Sequence, residues 1–503
     1  MYLGIDAGTS EIKVLVIDEH GAIIATSGAK LSVQRPHPHW SEQDPEAWWQ
    51  ALQQAVSELR QKVGKSWENI RAIGLSGQMH GAVLLDRENR VLRPAILWND
   101  TRSAAECKEL TALAPDLASL SGNLAMPGFT APKLLWVARH EPAIFAQTAS
   151  VLLPKDYLRW KMSGEKLSDM SDAAGTLWLD VAKRDWSDSL LEACGLTRDH
   201  MPRLVEGSEP AGELKAELAR QWGLKETVII AGGGGDNAAS AVGIGAVNPG
   251  DAFISLGTSG VLFAVNDRFR PDAASAVHAF CHALPDRWHQ MSVMLSAASS
   301  LRWLCDLLGA SETTLLSEVA TLSRSDELSA PLFLPYLSGE RTPHNDPQAS
   351  GSFHGLTHAT QRASLAYAVL EGVTFGMADG LKVLEEAGTN LTRCSLIGGG
   401  ARSSWWAQMM ADVLNITVVT HQGGEAGGAL GAARLGWLAD GGEETQVCQK
   451  PAELKRYLPD ADHHQALQKR LNHFHLLYQQ QREARAAESN STRTLCPSGP
   501  ACL

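Results

Sequence analysis

At 503 residues, with 44% hydrophobic and 20% charged residues, the chain is long enough for two or three domains with large cores and too apolar to be disordered. Its 44 Lys plus Arg stand against 56 Asp plus Glu, a net charge of −12. No dense basic run offsets that balance, which argues against nucleic acid or an anionic membrane as partner.

The opening "MYLGIDAGTSEIKVLVID" predicts two short strands, 2–6 and 12–17, joined by a turn at Ala7–Glu11. As an export signal it fails, because it lacks a basic leading region and Asp6 and Glu11 interrupt it. A turn at Gly21 leads to a third strand, and Asp44-Pro45 is an N-cap followed by proline at the first helical position. Trp48, Trp49, Leu52, Val56, Leu59 and Val63 follow at helical spacing. "IRAIGLSG" (70–77) reads as a strand ending in glycine, and "TAPKLLWVARHEP" (130–142) as a helix from Pro132. "TVIIAGGGGDNAASAVGIGAV" (227–247) and "RCSLIGGGARSSWWAQMMADVL" (393–414) both read as strand, glycine turn, helix. Strands alternating with helices predict an α/β architecture. From about 485 the pattern loses hydrophobic periodicity, and a frayed tail is expected there. The eight cysteines are scattered without a CxxC pair, and no apolar run reaches about 18 residues. Reduced thiols, no membrane span and a cytoplasmic location are expected.

"IDAGTSEIKVLVID" returns as "ISLGTSGVLFAVND", with Gly-Thr-Ser at 8–10 and 257–259. The flanking strands match in length and pattern, the copies lie half a chain apart, and each opens a long α/β segment, so a duplicated domain is the better reading. Two such turns facing one cleft can hold phosphate through backbone amides and hydroxyls. Asp6 offers a hard oxygen to Mg²⁺, and the glycine turn 398–400 can seat the rest of a nucleotide. "GKS" (64–66) is not a Walker A loop, because Leu59 stands where its first glycine belongs, and no G-x-G-x-x-G follows the first strand.

Together the paired hairpins and the later glycine turn resemble the actin-like ATPase clan, and within it the FGGY carbohydrate kinases. "GFTAPKLLWVARH" (128–140) is similar to one signature of that family, and "GSFHGLTHATQRASLAYAVLEG" (351–372) resembles another, with Ser364 where an acidic or amide residue is usual. Stretches such as "GQMHGAVLLD", "RPAILWNDTR", "LLPKDYLR", "SDAAGT" and "LPYLSGERTPHNDP" make the resemblance most specific to kinases of ketopentoses, over about residues 1–480. The resemblance implies duplicated actin-like (ribonuclease H-like) domains with the active site in the cleft between them. Their expected limits are 1–245 for the sugar-binding half, 246–484 for the ATP-binding half, and 485–503 for the tail. It implies ATP and Mg²⁺ as cofactors and D-xylulose as the substrate, and it is compatible with a homodimer. The alternatives are another sugar or polyol (ribulose, gluconate, glycerol), or an actin-like ATPase switch without a sugar.

Alone, an Asp at a helix start is more often an N-cap. The resemblance makes Asp236 the base that takes the proton of the attacking hydroxyl, after a glycine run one residue longer than the family's usual form. Met79 and His80 match sugar-contacting positions, and Gln78, Trp98, Asn99, Asp100 and Asn237 are candidates for the same pocket. Gly8, Thr9, Gly257 and Thr258 are assigned to phosphate, Asp6 to Mg²⁺, and Gly399 and Gly400 to the adenosine side. Lys13, just beyond the first turn, could reach a phosphate, although strand lysines are usually solvated, and Glu11 is expected to face solvent. His278, Cys281 and His282 are spaced like metal ligands, but no second Cys/His pair completes a structural zinc set.

Overall fold

The structure is a computed structural model describing residues 1–225, 227–422 and 427–494, with side chains to 488. Its first half builds a sheet from β1 (Tyr2–Ala7), β2 (Glu11–Ile17), β3 (Ile23–Lys30), β4 (Ala72–Gly77), β5 (Pro210–Glu213) and β6 (Ile229–Ala231). Helices of this half include α1 (Pro45–Val63), α2 (Thr130–His140), α3 (Pro154–Ser163) and α4 (Asp236–Gly243). The second half contributes β7 (Ala252–Leu256), β8 (Gly260–Asn266), β9 (His278–Cys281), β10 (Trp288–Met294), β11 (Arg393–Ile397), β12 (Thr417–His421) and β13 (Glu453–Tyr457). Its helices include α5 (Ala298–Leu308), α6 (Arg362–Glu386), α7 (Ser404–Leu414), α8 (Gly427–Ala439) and α9 (Ala461–Thr494).

The duplication is visible strand by strand. The first sheet runs β3-β2-β1-β4-β6-β5, and the second runs β10-β8-β7-β11-β12-β13 with β9 added beyond β10. In both, the first three strands pair antiparallel, the next two join in parallel, and the last turns antiparallel. A Gly-Thr-Ser turn sits at the same place in each, between the first strand and its antiparallel neighbour.

Helix α1 starts as its sequence predicts: the Asp44 carboxylate accepts from the Glu46 N–H (3.0 Å), and Pro45 occupies N1. Trp48, Leu52, Val56 and Leu59 are buried against the first sheet. The second sheet packs on α6, α7 and α9 around Tyr367, Phe375, Trp406 and Phe474.

One helix crosses from the second half to the first sheet. Helix α8, from the C-terminal half, lies across β1 and β4 of the first sheet, where Gly4 faces the backbone of Ala429 and Ala433, and Gly74 that of Ala432. Helix α4 sends Ala241 to the apolar cluster of Phe253 and Phe263 on the second sheet. Helices α8 and α4 meet at Gly431 and Ala239, where a Cβ on Gly431 would overlap the Ala239 carbonyl. Backbone contact this close between helix and strand or helix and helix explains the run of glycine and alanine in α8.

Residues 485–494, expected to belong to a frayed tail, are helical. Helix α9 continues to Thr494, and Arg485 forms an ion pair with Asp346 (2.6 Å) that anchors this turn. Residues 495–503, with Cys496 and Cys502, lie outside the described residues. The six described cysteines are free and buried. Among the described residues no helix is long and apolar enough to cross a membrane.

Candidate active site

Both Gly-Thr-Ser turns are open to solvent at the ends of their strands. The second turn shares a cavity of about 790 Å³ with the later glycine turn, lined by Gly257, Thr258, Gly399, Gly400, Ser403 and Trp406. Gly398 makes that turn with φ of +84°, beneath which the Leu256 carbonyl approaches. Gly399 and Gly400 lie in a short 3₁₀ turn, and α7 starts only at Ser404, capped by the Ser403 hydroxyl. This moves the helix start past the glycines expected to open it. Neither Gly257 nor Gly399 has positive φ, and a Cβ on either would meet open space or ordinary contact. Glycine at these two positions serves neither the turn nor the packing, and it leaves the backbone open to the cavity.

The first turn is tied to the pocket beside it. Thr9 Oγ1 donates to Gln78 Oε1 (3.2 Å) and accepts from Trp98 Nε1 (2.9 Å). Gln43, which sequence reasoning missed, closes the network: its Nε2 donates to the Thr9 carbonyl (2.7 Å), and its Oε1 accepts from Gln78 (3.1 Å) and Trp48 (2.9 Å). The amide of Gln78 is therefore engaged by protein, and the Thr9 hydroxyl proton is already donated. Trp98 stays 47% exposed, leaving its ring face free. Gly8, at the head of this turn, is half-buried.

Asp6, next to last in β1, lies opposite Lys13 on β2 and Ser76 on β4. It lines a groove of about 600 Å³ with Lys13 and Gly428. Burial raises its pKa, against the neighbouring Ser76 and Lys13. Glu11 does not face solvent freely: its carboxylate lies over Gly28 and pairs with Lys30 (3.3 Å) on the wall of the same groove.

Asp236 opens α4. Its carboxylate reaches solvent, yet protein surrounds it closely, so desolvation, with the charge of Asp6 adding to it, pushes its pKa up to about 6. The Asn237 N–H (2.8 Å) and Nδ2 (3.2 Å) both donate to Asp236 Oδ1, so Asn237 orients this carboxylate. Met79 packs its thioether against Gly235, and both Met79 and His80 bound Gly175. His80 adopts φ of +73° and places Nδ1 2.7 Å from the Gly175 carbonyl. Burial drives its pKa down to about 3, so the ring is neutral, Nδ1 carries the proton and Nε2 is left as an acceptor. Behind it Phe129 stands edge-on to the His80 ring (4.6 Å between centroids), held by Lys133 Nζ donating to the carbonyls of Phe129 (3.1 Å), Pro127 (3.3 Å) and Gly128.

Asp100 does not open on this pocket. It is 1% exposed and accepts from Arg102 Nη2 (2.7 Å) and the Ser41 N–H (2.7 Å), while the Arg102 guanidinium stacks 3.6 Å above Trp40. Its neighbour Asn99 keeps a buried Oδ1 without a protein partner among the described residues.

Both halves of the chain match models of the FGGY family of carbohydrate kinases, its N-terminal domain over residues 1–243 and its C-terminal domain over 252–439. The chain belongs to this family. It is 56% identical over 484 residues to a xylulose kinase of Escherichia coli, covering 95% of this chain and 99% of that one. It is 52% identical to a xylulose kinase of Klebsiella pneumoniae, covering 94% and 96%. A solved structure titled a xyloylose kinase from Brucella ovis superposes with a TM-score of 0.93 at 51% identity, covering 96% and 99%.

For an FGGY kinase, the support beneath Asp236 is the part the sequence left unread. Lys155 Nζ, fully buried, lies 2.8 Å from Asp156, 2.6 Å from Asp169 and 2.8 Å from Asp172. These carboxylates are close enough to cage a metal ion, but the Lys155 ammonium fills that place. Arg159 bonds Asp156 (2.8 Å) and reaches the carbonyls of Ala231 (3.3 Å) and Gly232. Ser171 bonds Asp169 and accepts from the Gly235 N–H (3.1 Å). The glycine run is thus held on both sides of its bend: Gly233 turns out with φ of +81°, and Gly234–Gly235 return to pair with Ser76–Gly77. The signal lay in the Lys-Asp-x-x-Arg spacing of "PKDYLR", which puts both cations on α3, and in "SDMSDA", which supplies two of the carboxylates and Ser171.

Proposed function

We propose that the chain transfers the γ-phosphoryl group of ATP to the 5-hydroxyl of D-xylulose, forming D-xylulose 5-phosphate and ADP. The observation that carries this reading is Asp236 at the start of α4, with Met79 and His80 on one side and the charge of Asp6 felt from the other. A carboxylate with a pKa of about 6 is ionised at neutral pH and basic enough to accept a proton as the hydroxyl attacks. Xylulose is favoured because the kinases named above carry that substrate in their names and are more than half identical over nearly the whole chain.

Phosphoryl transfer depends chiefly on positioning and charge stabilisation. In this reading the Gly257–Thr258 turn and Gly399–Gly400 bind the nucleotide, and the Gly8–Thr9 turn holds the transferred end. His80 Nε2 accepts from a sugar hydroxyl, Trp98 offers a ring face to the carbon chain, and Asn237 keeps Asp236 aimed. Asp6 is the residue that would hold Mg²⁺. Its hard oxygen and the nearby Asp236 charge fit a divalent cation, which when bound neutralises the phosphates. The hydrogen bonds from Trp98 and to Gln78 at Thr9 link the sugar wall to the phosphate turn, so a bound sugar steadies that turn.

The test is a panel of pentuloses, pentitols, gluconate and glycerol, assayed for ADP and sugar phosphate. The reading expects D-xylulose to give the highest kcat/KM. Equal turnover of all members, or ATP hydrolysis indifferent to any sugar, contradicts it.

A further inference from the structure

His278 lies on β9, and none of the trio it forms with Cys281 and His282 shares a ligand position. Cys281 Sγ donates to the Val181 carbonyl (3.5 Å), and His282 Nε2 lies 3.1 Å from the Ala246 carbonyl. His278 Nδ1 lies 2.8 Å from Asn123 Oδ1. The Asn123 Nδ2 donates to two carbonyls, Ser121 (2.9 Å) and Ala279 (3.2 Å), so its Oδ1 is an acceptor and His278 carries its proton on Nδ1. His278 Nε2 is then a bare acceptor, and Arg341 Nη1 donates to it (3.3 Å).

Arg341 is held from its backbone. Its N–H donates to Glu340 Oε1 (2.8 Å), which also accepts from Leu295 (3.0 Å), and Thr342 N–H bonds the Val293 carbonyl of β10 (3.1 Å). The guanidinium itself rests on one neutral nitrogen. Among the described residues its guanidinium makes one hydrogen bond, from Nη1 to His278 Nε2, pairs with no carboxylate and leaves no nitrogen buried without a partner, so its other N–H groups meet solvent. Contacts place these groups in a row: Gly235 beside Asp236 touches Met79, Met79 and His80 share Gly175, and Phe129 stands between the His80 ring (4.6 Å) and the His278 ring (5.7 Å). Arg341 lies at the far end of that row from Asp236, near enough that its charge is felt at His80.

We propose that Arg341 is a substrate-binding residue supplied by the C-terminal half, its free N–H groups donating to the C2 carbonyl end of the sugar whose 5-hydroxyl meets Asp236. This rests on the ketopentose reading above. A guanidinium only donates, and a ketone oxygen accepts with no proton of its own to place, whereas the pentitol hydroxyl must also find an acceptor there, so the pairing favours a ketose over the matching pentitol. His278 aims the guanidinium, and Asn123 fixes the tautomer of His278. The sugar is thereby held by groups from both halves.

The test is calorimetric titration of D-xylulose without nucleotide, together with steady-state kinetics, on wild type, Arg341→Met and Arg341→Ala. Arg341→Met is expected to raise the Kd and KM for D-xylulose about ten- to a hundredfold while leaving the KM for ATP within about twofold. Its kcat/KM for D-xylulose falls more than that for xylitol, and added guanidinium ion partly restores Arg341→Ala. An unchanged KM for D-xylulose overturns the proposal, as does a parallel rise in both KM values with a lowered Tm, the mark of a merely structural contact. Wild type that ignores D-xylulose but phosphorylates another polyol overturns the ketopentose reading instead, and Arg341→Met assayed with that polyol still decides whether Arg341 binds substrate.

Discussion

Asp236 must be ionised to accept a proton, and the structure raises the pH at which it becomes so. Desolvation comes first, then the charge of Asp6, against the hydrogen bond from the Asn237 N–H, and together they carry the carboxyl from 3.8 to about 6. A folded-state pKa raised above the ordinary value means that activity is full above about pH 7 and is lost as pH falls through 6. At pH 5 about one-tenth of the molecules carry the ionised form, so kcat/KM falls about tenfold from its plateau. A carboxylate at its ordinary value would keep more than about nine-tenths of its activity at the same pH. A discontinuous assay of sugar phosphate between pH 4.5 and 8.5 measures this without pH-sensitive coupling enzymes. Circular dichroism at each pH separates titration from unfolding. A profile flat down to pH 5 in folded protein refutes the assignment of a raised pKa to the base.

Asp236→Ala should lower kcat by about 10²- to 10⁴-fold, while ATP affinity measured by titration stays within about threefold of wild type. Near-normal turnover in that variant removes Asp236 from the chemistry. Lys155→Met leaves Asp169 and Asp172 fully buried without a cation and Asp156 with Arg159 alone, and should destabilise the fold by about 3–5 kcal/mol, read from urea denaturation. Thr9→Val removes both hydrogen bonds of the Thr9 hydroxyl, and kcat/KM should drop about tenfold, whereas Thr9→Ser should stay within about twofold of wild type. Equal losses in the two Thr9 variants would show that the hydroxyl is not what matters there.

Much of the fold was legible because its signals are local. The two Gly-Thr-Ser hairpins carry their own strand pattern, and finding them repeated led to the paired sheets with one strand order. Asp236 and Met79-His80 were picked out by the family resemblance and not by local pattern, and the structure sets Met79 against Gly235 and both Met79 and His80 against Gly175. What stayed hidden depends on partners far apart in sequence. Asp100 reads as a pocket residue beside Trp98, but Ser41 and an Arg102 stacked on Trp40 draw its carboxylate away. Asn237 reads as a sugar ligand, and no local signal announced the bonds that its N–H and Nδ2 make to Asp236. Helix α8 is buried almost all round, so its sequence has no polar face to reveal that it crosses to the other half's sheet. The lattice around Lys155 was invisible as well, because two cations and three carboxylates on separate elements look like ordinary surface charge until the fold buries them.

The central claim is transfer from ATP to one hydroxyl of one sugar, and the position of the phosphate tests it most directly. Uniformly ¹³C-labelled D-xylulose incubated with the protein, ATP and Mg²⁺ should give a single product in which phosphorus couples to C5, with one ADP formed per sugar consumed. Phosphate on another carbon, or ADP accumulating with the sugar unchanged, would contradict it.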